Sequence, residues 1–400
     1  MSERTVWITG AGVVSPGGPG RAALLELMLA GRSAVAPVDE LGGLPAGRAP
    51  VHPNGRNGKR LDRSAALFLM AAEEAWAGAG LGDVGLALER CGVIEGSSLG
   101  PVADVLRAFE GWMGEAARQP PTPTGLVRFL TGAGGATFAH AHGIAGPVLH
   151  VSAGSVAAAC AIGEAARKIA QGELDVAVAG GAECPLHEYI VGHFQAAGIL
   201  ASARNGEAPC RPFDAHRNGT VLGEGAGVVV LEAADHARRR GARGLAALMG
   251  YGLATEAHSM TAPDPAGTGV IAAVTQALRA ISPGDVDWIK AHGTGTAMND
   301  AAECRGLATV FGPALARVPL TSLKPMLGHS LGASGAVETV AVVLALQEDL
   351  VPPTLGTECP DPALPPCRIA LRGERLAARR VLLLSESFGG RCAALAVGRI

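Results

Sequence analysis

Residues 149–183 constrain the fold of this chain more than any other segment, because they have the order strand, turn, helix, strand. A short alternation of apolar residues predicts a first strand, which ends at Gly154-Ser155. Residues 156–170 predict a helix that is almost entirely apolar at its start and is therefore buried there. A second buried strand over residues 175–179 is predicted to end at Gly180-Gly181.

This pattern places Ser155 where a strand meets the N-terminus of a buried helix. Backbone N–H groups at a helix N-terminus are unpaired, and the helix dipole is positive there. Both features stabilise an anion or a developing oxyanion. Ser155 is therefore a candidate nucleophile.

The composition excludes several classes of protein. The chain has 400 residues, of which 48% are hydrophobic, so it can bury a large core in two or three domains or in one large duplicated unit. Its net charge is −3 and it has no basic stripe, so no nucleic-acid partner is expected. The N-terminus lacks the pattern of a signal peptide, and no apolar run is long enough for a membrane span. We therefore expect a cytoplasmic protein without a membrane partner.

The cysteine pattern indicates the same compartment. Eight cysteines are scattered along the chain without a C-x-x-C pair, and several lie in apolar runs. Buried free thiols in a reducing cytoplasm are predicted. The cysteines are at positions 91, 160, 184, 210, 304, 359, 367 and 392.

The alternation of strands and helices starts again after about residue 244. It predicts a duplicated α/β unit, with an N-terminal half over residues 1–244 and a C-terminal half over residues 245–400. Residues 101–148 and 184–222 are predicted to be insertions that form a cap, a dimer contact or a pocket wall. The first strand, over residues 5–8, is predicted to end in a tight glycine turn at residues 10–12, which is preferred to a dinucleotide site.

Three glycine-flanked motifs in the second half follow or precede predicted strands and helices. Residues 291–296 read AHGTGT, residues 324–329 read KPMLGH and residues 385–390 read SESFGG. Strand ends of α/β folds are where ligands bind. Two histidines in matching glycine-rich turns, together with a lysine, indicate a functional pocket. A metal site at His292 and His329 is not expected, since nothing supplies a third ligand.

Five motifs, in this order along the chain, resemble the elongating β-ketoacyl-ACP synthases of fatty-acid and type II polyketide synthesis. The resemblance implies a thiolase-like α/β fold, with two duplicated βαβαβαββ halves forming a five-layered α-β-α-β-α core. It also implies a dimer and a pocket between the halves. The substrates would be acyl and malonyl groups on the phosphopantetheine of acyl carrier protein (ACP), with no other cofactor. The motifs are WITGAGVVS (7–15), RPFDAHRNGTVLGEGAGVVVLE (211–232), AHGTGTAMND (291–300), LKPMLGHSLGASGAVE (323–338) and SESFGGRCA (385–393).

The resemblance assigns roles to the two histidines and to a charged pair. His292 and His329 would bind the malonyl thioester oxygen and stabilise the enolate formed on decarboxylation, which is an oxyanion-hole role. Lys324 and Glu338 would form a buried pair that holds the charge of the site.

The resemblance also assigns roles to residues in the glycine-rich turns. Thr294 and Thr296 match hydroxyls that hold the pantetheine arm, and Asp300 is a supporting residue in the same motif. Phe388 matches the gating aromatic, and its N–H would share an oxyanion hole with the N–H of Ser155.

The chain departs from the resemblance at the nucleophile. Alignment on Ala161-Ile162-Gly163 puts Ser155 at the position of the catalytic cysteine. Cys160 lies five residues further along the helix. At about 100° per residue it points roughly 140° away from Ser155, so we reject it as the nucleophile. Ser387 and Arg391-Cys392 are further departures, which affect the gate and the acyl pocket.

These departures leave three hypotheses, because a serine hydroxyl needs a positioned base to act as a nucleophile. The chain could be a chain-length-factor-like partner in a heterodimer with a cysteine-containing ketosynthase. It could instead be a Ser155-dependent acyltransferase or malonyl decarboxylase, as a homodimer or a heterodimer, with condensation impaired. It could also be a non-catalytic structural or ACP-docking homologue, with Arg60, Arg63 and Arg128 as a basic rim.

Overall fold

Strands and helices alternate along the whole chain in the computed structural model, which describes residues 4–52, 60–82, 84–113, 123–202 and 210–400. The strands are β1 (Val6–Ser15), β2 (Gly18–Pro19), β3 (Ala36–Val38), β4 (Leu44–Ala46), β5 (Cys91–Ser97), β6 (Val148–Ser152), β7 (Val176–Glu183), β8 (Gly225–Ala233), β9 (Ala246–Thr255), β10 (Trp288–Lys290), β11 (Pro319–Thr321), β12 (Leu350–Val351), β13 (Arg368–Ile369), β14 (Glu374–Arg375), β15 (Arg380–Ser387) and β16 (Arg391–Gly398). The helices are α1 (Arg21–Ala30), α2 (Arg63–Ala79), α3 (Val102–Met113), α4 (Ala133–Ala141), α5 (Ala157–Ala170), α6 (Glu188–Ala196), α7 (Ala234–Arg239), α8 (Thr268–Ala277), α9 (Ala297–Phe311), α10 (Lys324–Leu327) and α11 (Ser334–Gln347).

The sheet topology confirms the predicted duplication. From the centre outward, the first half has the strand order β1-β8-β7-β5-β6 and the second half has β9-β16-β15-β10-β11. If the five strands of each half are numbered along the chain, both halves have the same spatial order, 1-5-4-2-3. Antiparallel pairing of β1 with β9, with Ile8 opposite Ala246, joins the halves into one sheet. Strand β2, which pairs with β1, and strand β13, which pairs with β11, bring the sheet to 12 strands. The boundary between residues 244 and 245 stays a prediction; the second set of strands begins at Ala246.

The helices form the predicted layers around these strands. Helices α2 and α4 pack on the outside of the first half, and α8 and α9 pack on the outside of the second half. Helices α5 and α11 lie in the middle, where each contacts strands of both halves. Each of the two begins directly after a short 3-10 turn, Gly154–Val156 or Leu331–Ala333, and these two turns contact each other.

Small and apolar side chains allow the two central helices to approach closely. All residues of α11 from Ser334 to Leu346 are buried, as expected for a helix that is apolar on every side. A Cβ atom on Gly335 would lie 2.9 Å from the backbone nitrogen of Ala159 in α5. The backbones of α5 and α11 therefore almost touch at their N-terminal ends.

Two glycine pairs that predicted turns lie within strands instead. Strand β1 continues through Gly10 and Gly12, so the predicted turn at residues 10–12 is wrong. A Cβ on Gly10 would lie 2.0 Å from the carbonyl oxygen of Ala75 in α2, so the glycine allows this helix to pack on the strand. Strand β7 likewise continues through Gly180-Gly181 to Glu183, so the predicted strand end is also wrong. There, a Cβ on Gly180 would lie 2.0 Å from the carbonyl oxygen of Gly227 in β8.

The cysteines are free, as predicted, and six of the eight are buried, while Cys359 is exposed and Cys367 is partly exposed. Within the described ranges, no helix has the length and hydrophobicity that crossing a membrane would require. Of the two predicted insertions, residues 114–122 and 203–209 lie outside the described residues.

We predict that Gly335→Ala destabilises the protein even though alanine is the better helix former. The methyl group would meet the backbone of α5, and such overpacking costs about 1–3 kcal/mol. Gly192→Ala in α6 is the matched control, since nothing lies within 4 Å of its Cβ position. It should gain up to about 1 kcal/mol from helix propensity. Urea denaturation measures both, and equal effects would contradict the tight contact of α5 with α11.

Candidate active site

A cavity of about 320 Å³ opens between the two halves of the chain. Ser155 lines it from the first half, and the two histidines line it from the second half. The sequence motifs lie far apart along the chain, but the shared strand order brings them to this one place. The residues predicted for the site that line the cavity are Ser155, His292, Thr294, Thr296, His329 and Phe388.

Ser155 makes a direct contact with a histidine. It lies in the 3-10 turn between β6 and α5, as the sequence predicts, and its Oγ is 3.2 Å from Nε2 of His329. The other ring nitrogen of His329, Nδ1, is 2.9 Å from Oγ of Ser334, the first residue of α11. The N-terminal ends of the two central helices therefore bring a hydroxyl, an imidazole and a second hydroxyl into one chain of contacts.

The two histidines face each other across the cavity wall. Their ring centroids are 5.2 Å apart and the rings are nearly perpendicular, with an interplanar angle of 82°. Burial, and then the positive charge of Lys324, holds the pKa of both imidazoles well below the usual range. Both rings are therefore neutral at pH 7, and each can donate one hydrogen bond and accept another.

Buried charged side chains stabilise the site next to the histidines. Glu338 of α11 accepts a hydrogen bond from Nζ of Lys324 at 3.0 Å, as the resemblance implies. Lys324 also donates to the carbonyl oxygen of His292, so it holds the backbone of that turn. A second lysine, Lys290, is fully buried as well and pairs with the same carboxylate.

Sequence analysis missed Lys290. Its Nζ also donates to the carbonyl oxygen of Leu384 at 3.0 Å, and burial lowers its pKa. The sequence feature that could have identified it is its position at the end of the buried strand β10, directly before the AHGTGT motif. Two ammonium groups on one carboxylate leave the site with a buried positive charge, which lowers the basicity of the imidazoles.

Two buried carboxylates shape the turn that carries His292. Glu303 of α9 accepts hydrogen bonds from the backbone N–H groups of His292 and Gly293, and sequence analysis missed it. Asp300 accepts from the N–H of Gly295 at 3.1 Å and from that of Phe213 at 2.8 Å. Burial raises the pKa of Asp300 to about 6 and also raises the pKa of Glu303. Asp300 therefore supports the turn without lining the cavity.

The two predicted pantetheine-binding hydroxyls lie next to each other. Oγ1 of Thr294 is 2.9 Å from Oγ1 of Thr296, and both residues line the cavity. Oγ1 of Thr294 is also 3.4 Å from a carboxylate oxygen of Asp300. Their role in binding the pantetheine arm stays a prediction.

The expected oxyanion hole is engaged by a side chain. The N–H of Ser155 donates a hydrogen bond of 2.9 Å to Oγ of Ser387, one of the residues that depart from the resemblance. Ser387 packs so closely that a Cβ on Gly154 would lie 2.1 Å from its hydroxyl. Phe388 is half exposed and lines the cavity, so it is not a core residue. The Ser155 N–H becomes available to a substrate only when the Ser387 side chain rotates away.

The predictions for Cys160 and Arg63 have different outcomes. Cys160 is buried in α5, and burial raises its pKa, so it is an inert thiol as predicted. Arg63 does not belong to a basic rim, because its guanidinium is neutralised by an ion pair of 2.8 Å with buried Glu224 and donates to the backbone carbonyls of Ala49 and Val51. That part of the docking hypothesis is wrong.

Comparisons with known proteins identify the family to which the chain belongs. The profile for the beta-ketoacyl synthase N-terminal domain matches residues 3–237, and that for the C-terminal domain matches residues 245–358. The chain is 34% identical over 426 residues to the tetracenomycin polyketide synthase ketoacyl synthase alpha subunit of Streptomyces glaucescens, covering 100% of this chain and 98% of that protein.

Solved structures show the same fold over the full length of the chain. A type II polyketide synthase ketosynthase, bound to a hexaketide and in complex with its acyl-carrier protein, superposes with a TM-score of 0.91 at 29% identity, covering 100% of both chains. The ishigamide ketosynthase/chain length factor superposes with a TM-score of 0.89 at 29% identity, again covering 100% of both chains. The chain belongs to the β-ketoacyl synthase family and has its thiolase-like fold.

We predict that Glu338→Gln is strongly destabilising, because it leaves two buried ammonium groups without a counter-charge. Removing one partner from a buried ion pair costs about 3–5 kcal/mol. Lys290→Met is the matched control, since it leaves the pair of Lys324 with Glu338 intact and should cost less. Urea denaturation at pH 7 measures both variants. Equal losses would show that the charge balance at Glu338 is not what stabilises the site.

Proposed function

We propose that this protein is a Ser155-dependent acyltransferase and malonyl decarboxylase that acts on thioesters of acyl carrier protein. The observation that carries the proposal is the 3.2 Å contact between Oγ of Ser155 and Nε2 of His329. A serine becomes a useful nucleophile when a base lies within hydrogen-bonding distance, and the geometry meets this condition. An acyl carrier protein is the expected donor, since a similar ketosynthase was solved in complex with one.

The hydroxyl of Ser334 allows His329 to serve both steps. A hydroxyl can donate or accept a hydrogen bond, so Ser334 is compatible with either tautomer of the ring. With the proton on Nδ1, Nε2 accepts the proton of Ser155. With the proton on Nε2, the ring donates to a substrate oxygen, as the family resemblance implies.

In the acyl-transfer step, Oγ of Ser155 attacks the thioester carbonyl carbon while His329 takes its proton. The tetrahedral intermediate then expels the phosphopantetheine sulfur, which leaves as a thiol with the proton from His329. The products are a Ser155 ester and free holo-carrier protein. Since the imidazole has a lowered pKa, it is a weak base, and acylation should be slow compared with that of a cysteine.

In the decarboxylation step, His292 and His329 donate hydrogen bonds to the thioester oxygen of a bound malonyl group. The bond between the α-carbon and the carboxylate breaks and carbon dioxide leaves. The electron pair of that bond stays on the substrate and forms an enolate. Protonation of the enolate by water yields acetyl carrier protein. This step needs no nucleophile, so it is expected to survive the loss of Ser155.

The test incubates the purified chain with acyl and malonyl carrier protein and follows both by intact-mass spectrometry. We expect an acyl adduct that is lost in Ser155→Ala and formed faster in Ser155→Cys. Ser387→Gly should raise the acylation rate by up to about 100-fold, because it frees the N–H of Ser155 for the oxyanion. Acetyl carrier protein should form in Ser155→Ala but not when both histidines are replaced. An adduct that persists in Ser155→Ala would refute the proposed nucleophile.

The acylation rate should be independent of pH from about 8 down to about 6. The lowered pKa of His329 keeps the ring deprotonated through this range, so the fraction of active base does not change. A midpoint near 6.5 would contradict the proposal, since it would identify an ordinary exposed imidazole as the base.

A second candidate function is that of a chain-length-factor-like partner in a heterodimer with a cysteine-containing ketosynthase. A specific feature favours it: β6 forms one end of the sheet, and Val148 and Leu149 on this edge are 40% and 45% exposed. An exposed apolar edge strand is a place for pairing with another chain. The similar ishigamide assembly is a ketosynthase with a chain length factor. More exposed apolar residues lie in the preceding segments, namely Phe109, Trp112, Met113, Leu126, Val127, Phe129 and Leu130.

Co-expression with a ketosynthase of the same pathway, followed by native mass spectrometry, tests the second candidate. We expect a one-to-one complex that Leu149→Asp weakens at least about 10-fold, because a buried unpaired carboxylate costs more than 1.4 kcal/mol. Leu371→Asp is the matched control, since Leu371 is 42% exposed elsewhere on the surface. A homodimer that excludes the ketosynthase, or equal effects of both variants, would contradict the partner role.

A further inference from the structure

Two carboxylates and a thiol meet in the wall of the same cavity. Glu386 of β15 is directly opposite Cys392 of β16 in the strand register, so their side chains point to the same face of the sheet. Glu256 directly follows the neighbouring strand β9. One ligand-type atom from each of the three residues lies within 4.8 Å of the others, and all three residues line the cavity.

One carboxylate oxygen of this cluster has no partner within the ranges that the structure describes. Glu386 is only 4% exposed, and its Oε1 has no hydrogen-bond partner among the described residues. None of the ion pairs found in the described part of the chain involves Glu386 or Glu256. Two carboxylates and a thiol in contact repel each other when ionised. Such an arrangement is costly unless a cation is shared between the groups.

We propose that Glu256, Glu386 and Cys392 bind a divalent cation that prefers thiolate and carboxylate ligands, with Zn²⁺ as the best match. A set of three protein ligands with one open position is the usual form of a zinc site that faces a substrate. The open position here faces the cavity. Binding releases the proton of the Cys392 thiol to solvent, because the thiolate is the ligand.

The backbone pre-organises this site. Glu386 and Cys392 lie on the adjacent antiparallel strands β15 and β16, and Glu256 directly follows β9, which pairs with β16. Oε2 of Glu256 already accepts a hydrogen bond of 2.8 Å from the N–H of Asp264. Oε1 of Glu256 accepts a weak hydrogen bond of 3.9 Å from Sγ of Cys392, and a bound cation would take the place of that thiol proton. A hydrogen bond that orients a ligating carboxylate is a general feature of metal sites.

A cationic amine on a substrate would meet the same carboxylates, but the thiol favours a metal. A thiol is a weak hydrogen-bond acceptor for an ammonium group, whereas a thiolate is among the strongest ligands for zinc. The proposal also differs from a site at His292 and His329, which face Ser155 and Lys324. It stands independently of acyl transfer at Ser155.

The test removes metal from the full chain with a chelator and titrates it with Zn²⁺ and with Co²⁺. We expect one Zn²⁺ per chain after gel filtration, measured by elemental analysis, and a thiolate-to-cobalt charge-transfer absorption with Co²⁺. Cys392→Ala and Glu386→Gln should each weaken binding at least about 10-fold, since even outer-shell partners of a metal have effects of that size. The charge-transfer band should vanish in Cys392→Ala.

Matched controls separate this site from the alternatives. Cys91→Ala removes another buried thiol, on β5, and His329→Ala removes the histidine beside Ser155; both should retain Zn²⁺ binding. Circular dichroism checks that each variant is folded, and Glu256→Gln, at a partly exposed position, provides a further ligand variant. Failure of the unmodified chain to bind Zn²⁺ would overturn the proposal. So would unchanged affinity in folded Cys392→Ala and Glu386→Gln, or loss of binding in His329→Ala alone.

Discussion

The site depends on the contact between the N-terminal ends of α5 and α11. Gly335 lets α11 approach the backbone of α5 at Ala159, and the two turns that precede these helices meet as a consequence. One turn carries Ser155; His329 lies just before the other, and Ser334 begins the helix that follows it. The 3.2 Å and 2.9 Å contacts that connect these three side chains are therefore set by helix packing in the core, not by surface loops.

A second constraint is the pairing of buried charged groups next to the site. Glu338 lies between Lys290 and Lys324, and Glu303 binds the backbone N–H groups of the turn that carries His292. These interactions hold the imidazoles in position, while burial, followed by the positive charge of Lys324, keeps them neutral. Neutral rings are good hydrogen-bond donors to a substrate oxygen but weak bases. In the proposed function, the same environment therefore favours decarboxylation and limits acyl transfer through serine.

Much of this arrangement could be predicted from the sequence. The strand-turn-helix segment located Ser155, and the glycine-rich motifs located both histidines and Lys324, since short motifs at strand ends retain their place in the fold. The family resemblance added Glu338. Glycines were less informative: Gly10 and Gly180 predicted turns but lie in strands, because a glycine that permits a close backbone contact has the same local pattern as one that permits a turn. Lys290, Glu303 and Glu386 were missed as buried charges for a related reason. Burial of a charged side chain depends on partners from distant segments, which local sequence does not reveal.

The pairing of β1 with β9 has a mechanical consequence for access to the cavity. Because the two halves share one continuous sheet, and α5 and α11 each contact strands of both, a jaw-like separation of the halves would break backbone hydrogen bonds and the central core together. Substrate admission must then rely on small rotations at the rim, where Ser387 covers the N–H of Ser155 and Phe388 is half exposed. In such a rigid scaffold we expect selectivity to be steric and to depend on single side chains next to Ser155 more than on any hinge.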